Sequence, residues 1–339
     1  MSTQSGPQAT PRDGVLHVPG PTALYHGGKL EDLQIGWTLS GPAGGDSSAV
    51  PVVLALGGIS ASRRVFDAGS GRSGWWHEIV GPGKALDTTR VAVLGMDYIG
   101  GSEASSGPDG THPFPSISSY DQADAALRLL DHLGIQKLGA IVGASYGGMV
   151  ALAFGERYPS RVERLVVISA ADVAHPMATA WRSVQRSIVR LGLNAKQPTA
   201  GLELARALAM STYRSPEEFA ARFRAAPRFE SGRAVFPVEE YLHARGRDYA
   251  ARTLPESFLC LSESIDLHNV NATRVPVRTE VVAVREDQLV PLADMRALTA
   301  RLPDAGLHEI SSLMGHDAFL KEAEQLRAIL AILSPGDAP

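Results

Sequence analysis

Gly143-Ala144-Ser145-Tyr146-Gly147-Gly148 is the stretch around which this sequence is organised. It follows an apolar run at 138–142 that predicts a buried strand, and it precedes a helical pattern at 149–154. A serine at such a sharp strand-to-helix turn is held in a sparsely populated backbone conformation. Glycines flank it because a side chain at either position would collide with the neighbouring strand or helix. We therefore predict that Ser145 is a nucleophile; the alternative is a structural turn that matches Gly-x-Ser-x-Gly by chance.

The bulk properties fit one large α/β domain with an insertion, or two domains. The chain has 339 residues, of which 44% are hydrophobic, and its 34 Gly and 22 Pro are scattered. No run approaches the roughly 18 apolar residues that span a bilayer, and residues 1–13 lack the pattern of a signal peptide. We therefore expect a cytoplasmic protein with no membrane partner.

Charge and cysteine content exclude further classes of function. The chain carries 32 Lys+Arg against 36 Asp+Glu, a net charge of −4, which argues against general nucleic-acid binding. A single cysteine, Cys260, excludes an intramolecular disulfide framework and a multi-cysteine metal site. We expect no metal site.

Apolar runs alternate with helical patterns, which predicts a mostly parallel sheet flanked by helices. Residues 33–39 alternate between apolar and polar, as a half-buried strand does. Continuous apolar runs that predict buried strands lie at 50–56, 91–95, 138–142 and 165–169. Sheet patterning returns at 278–285, and a last short strand is expected at 307–310. A helix is expected from Ser119, with Gln122 at capping-box spacing, to Gly134. A final amphipathic helix is expected at 319–333.

The pattern divides the chain into three parts. Residues 1–27 are predicted to be an irregular N-terminal arm. Between 171 and 271 the sheet pattern stops, and apolar residues such as Met177, Trp181, Val184 and Ile188 recur at helical spacing. We therefore predict an α/β core formed by 28–170 and 272–339, interrupted by a helical lid at 171–271.

The partners of the serine can be sought by chain order, because in an α/β-hydrolase they follow as Ser, acid, His. Asp287 directly follows the strand predicted at 278–285, and Glu286 beside it is the rival acid. His316 follows Gly315 in the loop before the last helix. In the predicted triad, His316 takes the proton of Ser145, and Asp287 orients the imidazole.

Acyl transfer also needs donors for an oxyanion. We expect one to be the backbone N–H of Tyr146 and the other to come from the turn Gly57-Gly58-Ile59, with Gly58 as the candidate. The alternative for that turn is a tight connection with no role in binding. The predicted reaction is acyl transfer through an acyl-enzyme, with ping-pong kinetics.

Several stretches resemble the homoserine O-acyltransferase family, and the similarity runs in order from about residue 28 to 334. They are Gly74-Trp75-Trp76, Gly81-Pro82-Gly83-Lys84-Ala85-Leu86-Asp87-Thr88, Ser145-Tyr146-Gly147-Gly148-Met149, Gln185-Arg186, Thr212-Tyr213-Arg214-Ser215, Tyr241-Leu242 with Gly246, and Gly315-His316-Asp317-Ala318-Phe319-Leu320. Members of that family have the α/β-hydrolase fold and move an acetyl or succinyl group from coenzyme A to a short hydroxy-amino acid. The resemblance implies acyl-CoA as a co-substrate, no bound cofactor, and a role in methionine synthesis.

The resemblance also implies how a zwitterionic acceptor is bound. Arg186 matches the family's carboxylate-binding arginine, and Asp317 matches the residue that holds the amino group. The alternatives are that Arg182, Arg186 and Arg190 form a solvated stripe, and that Asp317 caps the last helix. The sequence departs from the family at Tyr146, where methionine is common. The loop at 100–118 is short, and no lid tyrosine segment follows Arg186.

Donor and acceptor are less strongly indicated. Arg63 and Arg64 follow the oxyanion turn, where a guanidinium could pair with a succinyl carboxylate, so we favour succinyl over acetyl. L-homoserine is the expected acceptor; a serine O-acyltransferase, an esterase that uses water, and a non-catalytic binding protein are the alternatives. A homodimer is an expectation that the sequence does not fix.

Overall fold

The computed structural model describes residues 11–42, 50–67 and 73–333 and is built on an eight-stranded sheet. Its strands are β1 (Arg12–Val18), β2 (Leu33–Ser40), β3 (Val52–Leu56), β4 (Ala92–Met96), β5 (Ala140–Ala144), β6 (Arg164–Ile168), β7 (Arg278–Val284) and β8 (Ala305–Ile310). They lie in the order β1-β2-β4-β3-β5-β6-β7-β8. Strand β2 runs antiparallel to both neighbours, and every other pair is parallel.

Nine α-helices surround or extend from this sheet. They are α1 (Ser119–Leu133), α2 (Tyr146–Arg157), α3 (Pro176–Asn194), α4 (Pro198–Tyr213), α5 (Pro216–Arg222), α6 (Pro237–Ala250), α7 (Pro255–Asp266), α8 (Leu292–Arg301) and α9 (Ala323–Leu330) within the described residues. The predicted fold class, a mostly parallel sheet flanked by helices, is confirmed. Within the same ranges, none of the helices combines the length and apolarity needed to cross a membrane.

The core has two apolar layers, one on each face of the sheet. In β3, Leu54 and Leu56 belong to the layer that also contains residues of α1, α2 and α8, whereas Val53 and Ala55 belong to the layer that contains residues of α9. Successive side chains of a strand point to opposite faces, so a strand covered on both faces is apolar throughout. This is why the continuous apolar runs predicted the central strands.

The prediction of an irregular N-terminal arm is wrong for residues 12–18. These residues form β1, which pairs antiparallel with β2 along its whole length, from Arg12 opposite Leu39 to Val18 opposite Leu33. As an edge strand, β1 is exposed or half-exposed throughout, so it lacks the apolar run of a central strand. Residues 1–10 lie outside the described part of the chain.

The start of α1 also differs from the prediction. The N-cap is Ser118, and Asp121, not Gln122, completes the capping box by accepting a hydrogen bond from the N–H of Ser118 at 2.8 Å. Gln122 is buried and bonds both the N–H and the carbonyl of Ile99, at 3.0 and 2.8 Å. The helix ends at Gly134 with φ 71°, as predicted.

The segment between β6 and β7 forms a largely helical insertion. It contains α3 to α7 and a short antiparallel ribbon, Arg228–Glu230 with Arg233–Val235. Helices α3 and α4 approach closely where Gly192 meets Gly201: a Cβ on Gly192 would lie 2.7 Å from the Cα of Gly201. Beyond β8, the helix predicted at 319–333 is divided into a 3₁₀ turn, Gly315–Leu320, followed by α9.

Candidate active site

Ser145 stands at a strained turn between β5 and α2. Its φ of 55° and ψ of −123° are rare for a residue with a side chain. A Cβ on Gly143 would lie 2.2 Å from the carbonyl oxygen of Gly147, and one on Gly147 would lie 2.3 Å from that of Leu56. The two flanking glycines are therefore required by contact, as the sequence predicted, and the strain presents the serine side chain above the sheet.

The structure brings Ser145, His316 and Asp287 together as a hydrogen-bonded chain. The Oγ of Ser145 is 2.8 Å from the Nε2 of His316, and the Nδ1 of His316 is 2.7 Å from Oδ2 of Asp287. The other carboxylate oxygen of Asp287 accepts from the N–H groups of Leu289 and Val290, at 2.9 and 3.0 Å. With its Nδ1–H donated to Asp287, the imidazole can accept the proton of Ser145 at Nε2.

Glu286, the rival acid, points away from the histidine. One of its carboxylate oxygens accepts from the N–H of Ser312 at 2.8 Å, and the other from the hydroxyl of Ser311. Because successive residues at a strand end point in different directions, Glu286 bonds the segment after β8 while Asp287 faces His316.

Two carboxylates tune the basicity of His316. The imidazole is buried, and burial opposes its positive charge, but the negative charges of Asp287 and Asp317 outweigh that effect. The pKa of His316 is therefore raised above its usual value of 6.5. A base of this kind binds a proton more firmly and stabilises the imidazolium that forms during acyl transfer.

The two predicted oxyanion donors lie on either side of the serine. Tyr146 is the first residue of α2, where backbone N–H groups have no partner within the helix. Gly58 follows β3, and a Cβ at that position would lie 3.9 Å from the Oγ of Ser145. The carbonyl of Gly57 accepts from the N–H of Gly147 at 2.9 Å, which ties this turn to the serine turn.

The side chain of Tyr146 points into the protein and is not among the residues that line the cavity above Ser145. It is buried, its hydroxyl hydrogen-bonds Ser264 of α7, and its ring packs edge-on against Tyr98 with centroids 5.0 Å apart. Burial raises the pKa of this phenol. The tyrosine at this position therefore connects the serine turn to the insertion, and its side chain forms no part of the cavity wall.

Trp76, from the tryptophan pair that carried part of the resemblance, supports the histidine loop. Its indole N–H donates to the carbonyl of Phe319 at 2.7 Å, three residues after His316. The indole is fully buried and stacks on Trp75 with ring centroids 5.0 Å apart. Trp76 therefore holds the segment that follows His316.

A cavity of about 980 Å³ opens above Ser145 and His316, between the sheet and the insertion. Its inner wall includes three arginines of the insertion, Arg182, Arg206 and Arg214. Asp317 also lines it, beside His316, and accepts from the Nε of Arg214 at 3.1 Å. Asp317 does not cap α9, whose N-cap is Glu322.

The structure does not bring Arg186 to this cavity. Its guanidinium donates to Asp266 at 2.6 Å and to the carbonyl and hydroxyl of Ser262 at 3.1 and 3.0 Å. Arg182, one turn earlier, binds the other oxygen of Asp266 and also lines the cavity. Both side chains are only 12% exposed, so they do not form the solvated stripe either. The carboxylate role predicted for Arg186 is therefore not supported by its position.

Arg206 lines the cavity, although it is not among the site residues predicted from the sequence. Its guanidinium lies 5.1 Å from the ring centroid of Tyr213 and 4.6 Å from that of Tyr249, and it donates to the Tyr213 hydroxyl at 3.2 Å. Among the described residues, no carboxylate lies within ion-pair distance of it. Arg206 lies seven residues, or two helical turns, before Tyr213 of the motif Thr212-Tyr213-Arg214. The two residues therefore share a face of α4, and this shared face was the signal that the sequence offered.

The arginines that suggested a succinyl group lie elsewhere. Arg63 is paired with Asp97, to which its backbone N–H also donates at 2.7 Å. Arg64 lies 3.4 Å from Glu103 and lines a second, smaller cavity of about 260 Å³. Neither arginine lines the cavity above Ser145, so neither supports the preference for a succinyl group.

No group of three or more His, Cys, Asp or Glu side chains in the described ranges is placed to hold a metal ion. Cys260 is a buried free thiol, and burial raises its pKa to about 12.

Comparison with known proteins agrees with this geometry. The family described as alpha/beta hydrolase fold matches residues 51–323. A homoserine O-succinyltransferase from Xanthomonas campestris pv. campestris is 43% identical over 96% of this chain and 84% of its own length. A serine O-succinyltransferase from Litchfieldella anticariensis is 33% identical, over 93% and 96%. A homoserine O-acetyltransferase from Thermus thermophilus is 34% identical, over 98% and 94%.

Solved structures show the same fold. A homoserine O-acetyltransferase from Bacillus anthracis superposes with a TM-score of 0.86 at 19% identity, covering 96% of this chain and 98% of its own. Esterase E22 superposes with a TM-score of 0.83 at 22% identity, covering 96% and 100%. At these identities the likeness concerns the fold alone. From its sequence relatives, the chain belongs to the homoserine O-acyltransferase family of the α/β-hydrolase fold and is an acyltransferase.

Proposed function

We propose that the protein transfers a succinyl group from succinyl-CoA to the hydroxyl of L-homoserine, through an acyl-enzyme on Ser145. The observation that carries the proposal is the hydrogen-bonded triad at the base of a cavity whose inner wall holds several arginines and one aspartate. The 43% identical relative is a homoserine O-succinyltransferase, which favours the same donor and acceptor.

In the first half-reaction, Ser145 attacks the thioester carbonyl while His316 takes the hydroxyl proton at Nε2. In this proposal the N–H groups of Tyr146 and Gly58 stabilise the oxyanion of the tetrahedral intermediate. The intermediate collapses as the carbon–sulfur bond breaks, and His316 returns the proton to the departing thiolate. The products are free coenzyme A and a serine ester.

In the second half-reaction, the acceptor hydroxyl replaces the thiol. His316 takes its proton, the resulting alkoxide attacks the ester carbonyl, and the same two N–H groups hold the second oxyanion. His316 then returns the proton to the Oγ of Ser145, which restores the free enzyme. Since the site is covered by the insertion, bulk water is kept from the ester.

Arg206 and Asp317 are our candidates for binding the acceptor. A free amino acid carries a carboxylate and an ammonium group, which require one cation and one anion in the site. Arg206 has no carboxylate partner among the described residues and is steadied between two tyrosine rings, so it can bind the substrate carboxylate. Asp317 lies directly beside the base, where an ammonium near the reacting hydroxyl would be held.

Arg182 is our candidate for binding the succinyl carboxylate. It lines the same cavity as Ser145 and His316. One edge of the guanidinium is held by Asp266 at 2.8 Å, which leaves other N–H groups for a ligand. An acetyl group would give this cation nothing to bind.

Thiol release by the purified protein tests the proposal. The assay crosses succinyl-CoA and acetyl-CoA with L-homoserine, L-serine and no acceptor. We expect the fastest release with succinyl-CoA and homoserine, and none of that activity in Ser145→Ala. Release that ignores the acceptor would indicate an esterase, and preference for serine would indicate a serine O-acyltransferase.

Two variants serve as controls for each other. Arg182→Ala should raise KM for succinyl-CoA by roughly tenfold or more, because a charged hydrogen bond is lost, and it should spare acetyl-CoA. Arg206→Ala should raise KM for the amino acid by a similar factor and leave KM for the acyl-CoA donor unchanged. Equal effects of one variant on both substrates would reject its assigned role.

A further inference from the structure

The outer part of the cavity carries a second set of arginines, separate from those near the triad. Arg222, Arg245 and Arg252 all line the cavity, yet each is also exposed to solvent. They therefore lie at its mouth, which we call the arginine rim. No step of the acyl transfer described above uses them.

Two helices contribute to the rim: Arg222 ends α5 and lies over the ring of Tyr241 of α6, and Arg245 and Arg252 follow along and just beyond α6. Tyr241, Arg245 and Tyr249 line the cavity at intervals of four residues, Asp248 lies beside Tyr249, and Arg252 continues the row just past the helix end. Such spacing places side chains on one side of a helix. At 1.5 Å per residue, the row from Tyr241 to Arg252 extends about 16 Å. An elongated ligand could follow it from the mouth inward.

The rim arginines are weakly held by their present partners. Arg222 contacts Glu218 at 3.3 Å and lies over the ring of Tyr241, 4.3 Å from its centroid. Arg245 contacts Asp248 at 2.8 Å, with both side chains half exposed. Arg252 has no ion-pair partner among the described residues. Exposed ion pairs contribute little to stability, so a more highly charged anion can replace the carboxylates.

The charge of the whole cavity also favours an anionic ligand. Six arginines line it, namely Arg182, Arg206, Arg214, Arg222, Arg245 and Arg252, against three aspartates, Asp248, Asp294 and Asp317. The protein as a whole is acidic, with a net charge of −4, so this excess of cations is local. Planar guanidinium groups bind phosphate oxygens in pairs, which suits them to nucleotide phosphates.

We propose that the arginine rim binds the diphosphate and 3′-phosphate groups of the acyl donor's coenzyme A tail, while the thioester reaches Ser145. This inference rests on the proposed use of an acyl-CoA. It divides the cavity into two parts. The inner arginines recognise the carboxylates of the reacting groups, and the rim fixes the nucleotide end of the donor and sets its KM.

A truncated donor tests the division. Succinyl-CoA is compared with succinyl-pantetheine, which has the same reacting thioester and lacks the phosphates. Arg245→Ala and Arg252→Ala should each raise KM for succinyl-CoA by about tenfold and leave kcat unchanged, because one charged hydrogen bond is lost. Neither variant should change KM for succinyl-pantetheine. Arg247→Ala, an exposed arginine of the same helix outside the cavity lining, is the control and should resemble the wild type.

Calorimetry with coenzyme A and dephospho-coenzyme A separates this inference from the proposed reaction. The wild type should bind coenzyme A more tightly than the dephospho form, and the R222A/R245A/R252A variant should bind both weakly. Equal binding of coenzyme A by the triple variant and the wild type would overturn the rim assignment, as would equal rises in KM for both thioesters. A wild type that binds coenzyme A through the rim but transfers no acyl group would instead refute the proposed reaction.

Discussion

Tyr98 connects the two predicted oxyanion donors. Its hydroxyl donates to the carbonyl of Gly57 at 2.6 Å, next to Gly58, and its ring packs against the ring of Tyr146. The side chain is 3% exposed, and burial raises the pKa of its phenol, so it acts as a neutral donor. We expect Tyr98 to be a positioning residue that holds both N–H groups at the spacing that the oxyanion requires.

Tyr98→Phe should lower kcat about tenfold and leave the KM of both substrates unchanged, because oxyanion contacts form only in the transition state. The measurement is steady-state kinetics of thiol release. Tyr158→Phe is a matched control, since it removes a tyrosine hydroxyl that bonds Asp124 at 2.6 Å, away from the site. A change in KM with kcat intact would reject the positioning role.

The raised pKa of His316 predicts the pH dependence of the reaction. The imidazole must be neutral to accept the serine proton, so activity falls as the pH drops through its pKa. Since Asp287 and Asp317 raise that pKa, the acid limb of kcat/KM should lie above the usual 6.5.

Removing the charge of one carboxylate should shift this limb. Asp287→Asn should move it to lower pH and reduce kcat by roughly 10³- to 10⁴-fold, because the wrong tautomer is then favoured. The profile is measured under kcat/KM conditions from pH 5 upwards, a range set by the usual pKa of histidine. An acid limb at or below 6.5 in the wild type would contradict the assignment.

A site residue can be predicted from the sequence when its position depends on the local chain alone, and not when it depends on a distant segment. Ser145, Asp287 and His316 could be predicted because each follows a strand whose end the apolar pattern already located. The cavity arginines could not, because a helical pattern does not say which arginine of several faces a distant segment. Arg186 and Arg182 differ by one turn, and Asp266 of α7 decides how both are oriented.

At the level of elements, burial on both faces made the central strands predictable. The apolar runs of β3, β5 and β7 are the direct result of covering the sheet on two sides. The edge strand β1 has no such signal, since its pairing with β2 depends on backbone hydrogen bonds and on the close fit of Gly14 under Trp37. Backbone pairing leaves little trace in composition, and this is why the sequence pattern predicts an irregular arm at residues 12–18.

The crossing of α3 and α4 gives a prediction about the insertion. A Cβ on Gly201 would lie 2.9 Å from the Cα of Gly192, so the helices must separate to admit a methyl group. These helices carry Arg182 and Arg206. Gly201→Ala should therefore lower the free energy of unfolding by about 1–3 kcal/mol and raise KM for both substrates. Thermal or denaturant unfolding measures the first effect, and kinetics the second.

Thr199→Ala is the control for that substitution, since Thr199 is exposed in the first turn of the same helix. It should change neither property beyond about 0.5 kcal/mol. A Gly201→Ala protein as stable as the wild type, with unchanged KM, would show that the helices have room to adjust.

The whole molecule separates chemistry from recognition. The sheet core supplies Ser145, Asp287 and His316 from the ends of β5, β7 and β8, while the insertion supplies the arginines above them. Ser264 of the insertion bonds Tyr146 of the serine turn, and Arg214 bonds Asp317 beside His316. A movement of the insertion would therefore change both the position of the bound substrate and the surroundings of the triad. Contacts that hold the insertion in place therefore affect the active site. Such contacts include any made by the outer surface of the insertion.

That outer surface carries an apolar stripe. Met177, Val184 and Leu191 lie seven residues apart on α3, which places them on one side of the helix, and they are 53%, 51% and 69% exposed. Exposed apolar side chains that recur on one helix face can form an interaction surface. We expect this stripe to pack against its counterpart in a second copy of the chain, since a two-fold dimer buries the same patch on both subunits.

Val184→Asp should shift the dimer to a monomer, because each interface would then bury two unpaired carboxylates. Sedimentation velocity over a range of protein concentrations measures the change. His243→Asp, an exposed position on α6, places the same charge away from the stripe and should leave the dimer intact. If the stripe also steadies the insertion, the Val184→Asp monomer should show a raised KM for both substrates, since α3 carries Arg182. A wild-type protein that sediments as a monomer, or a Val184→Asp dimer, would refute this interface.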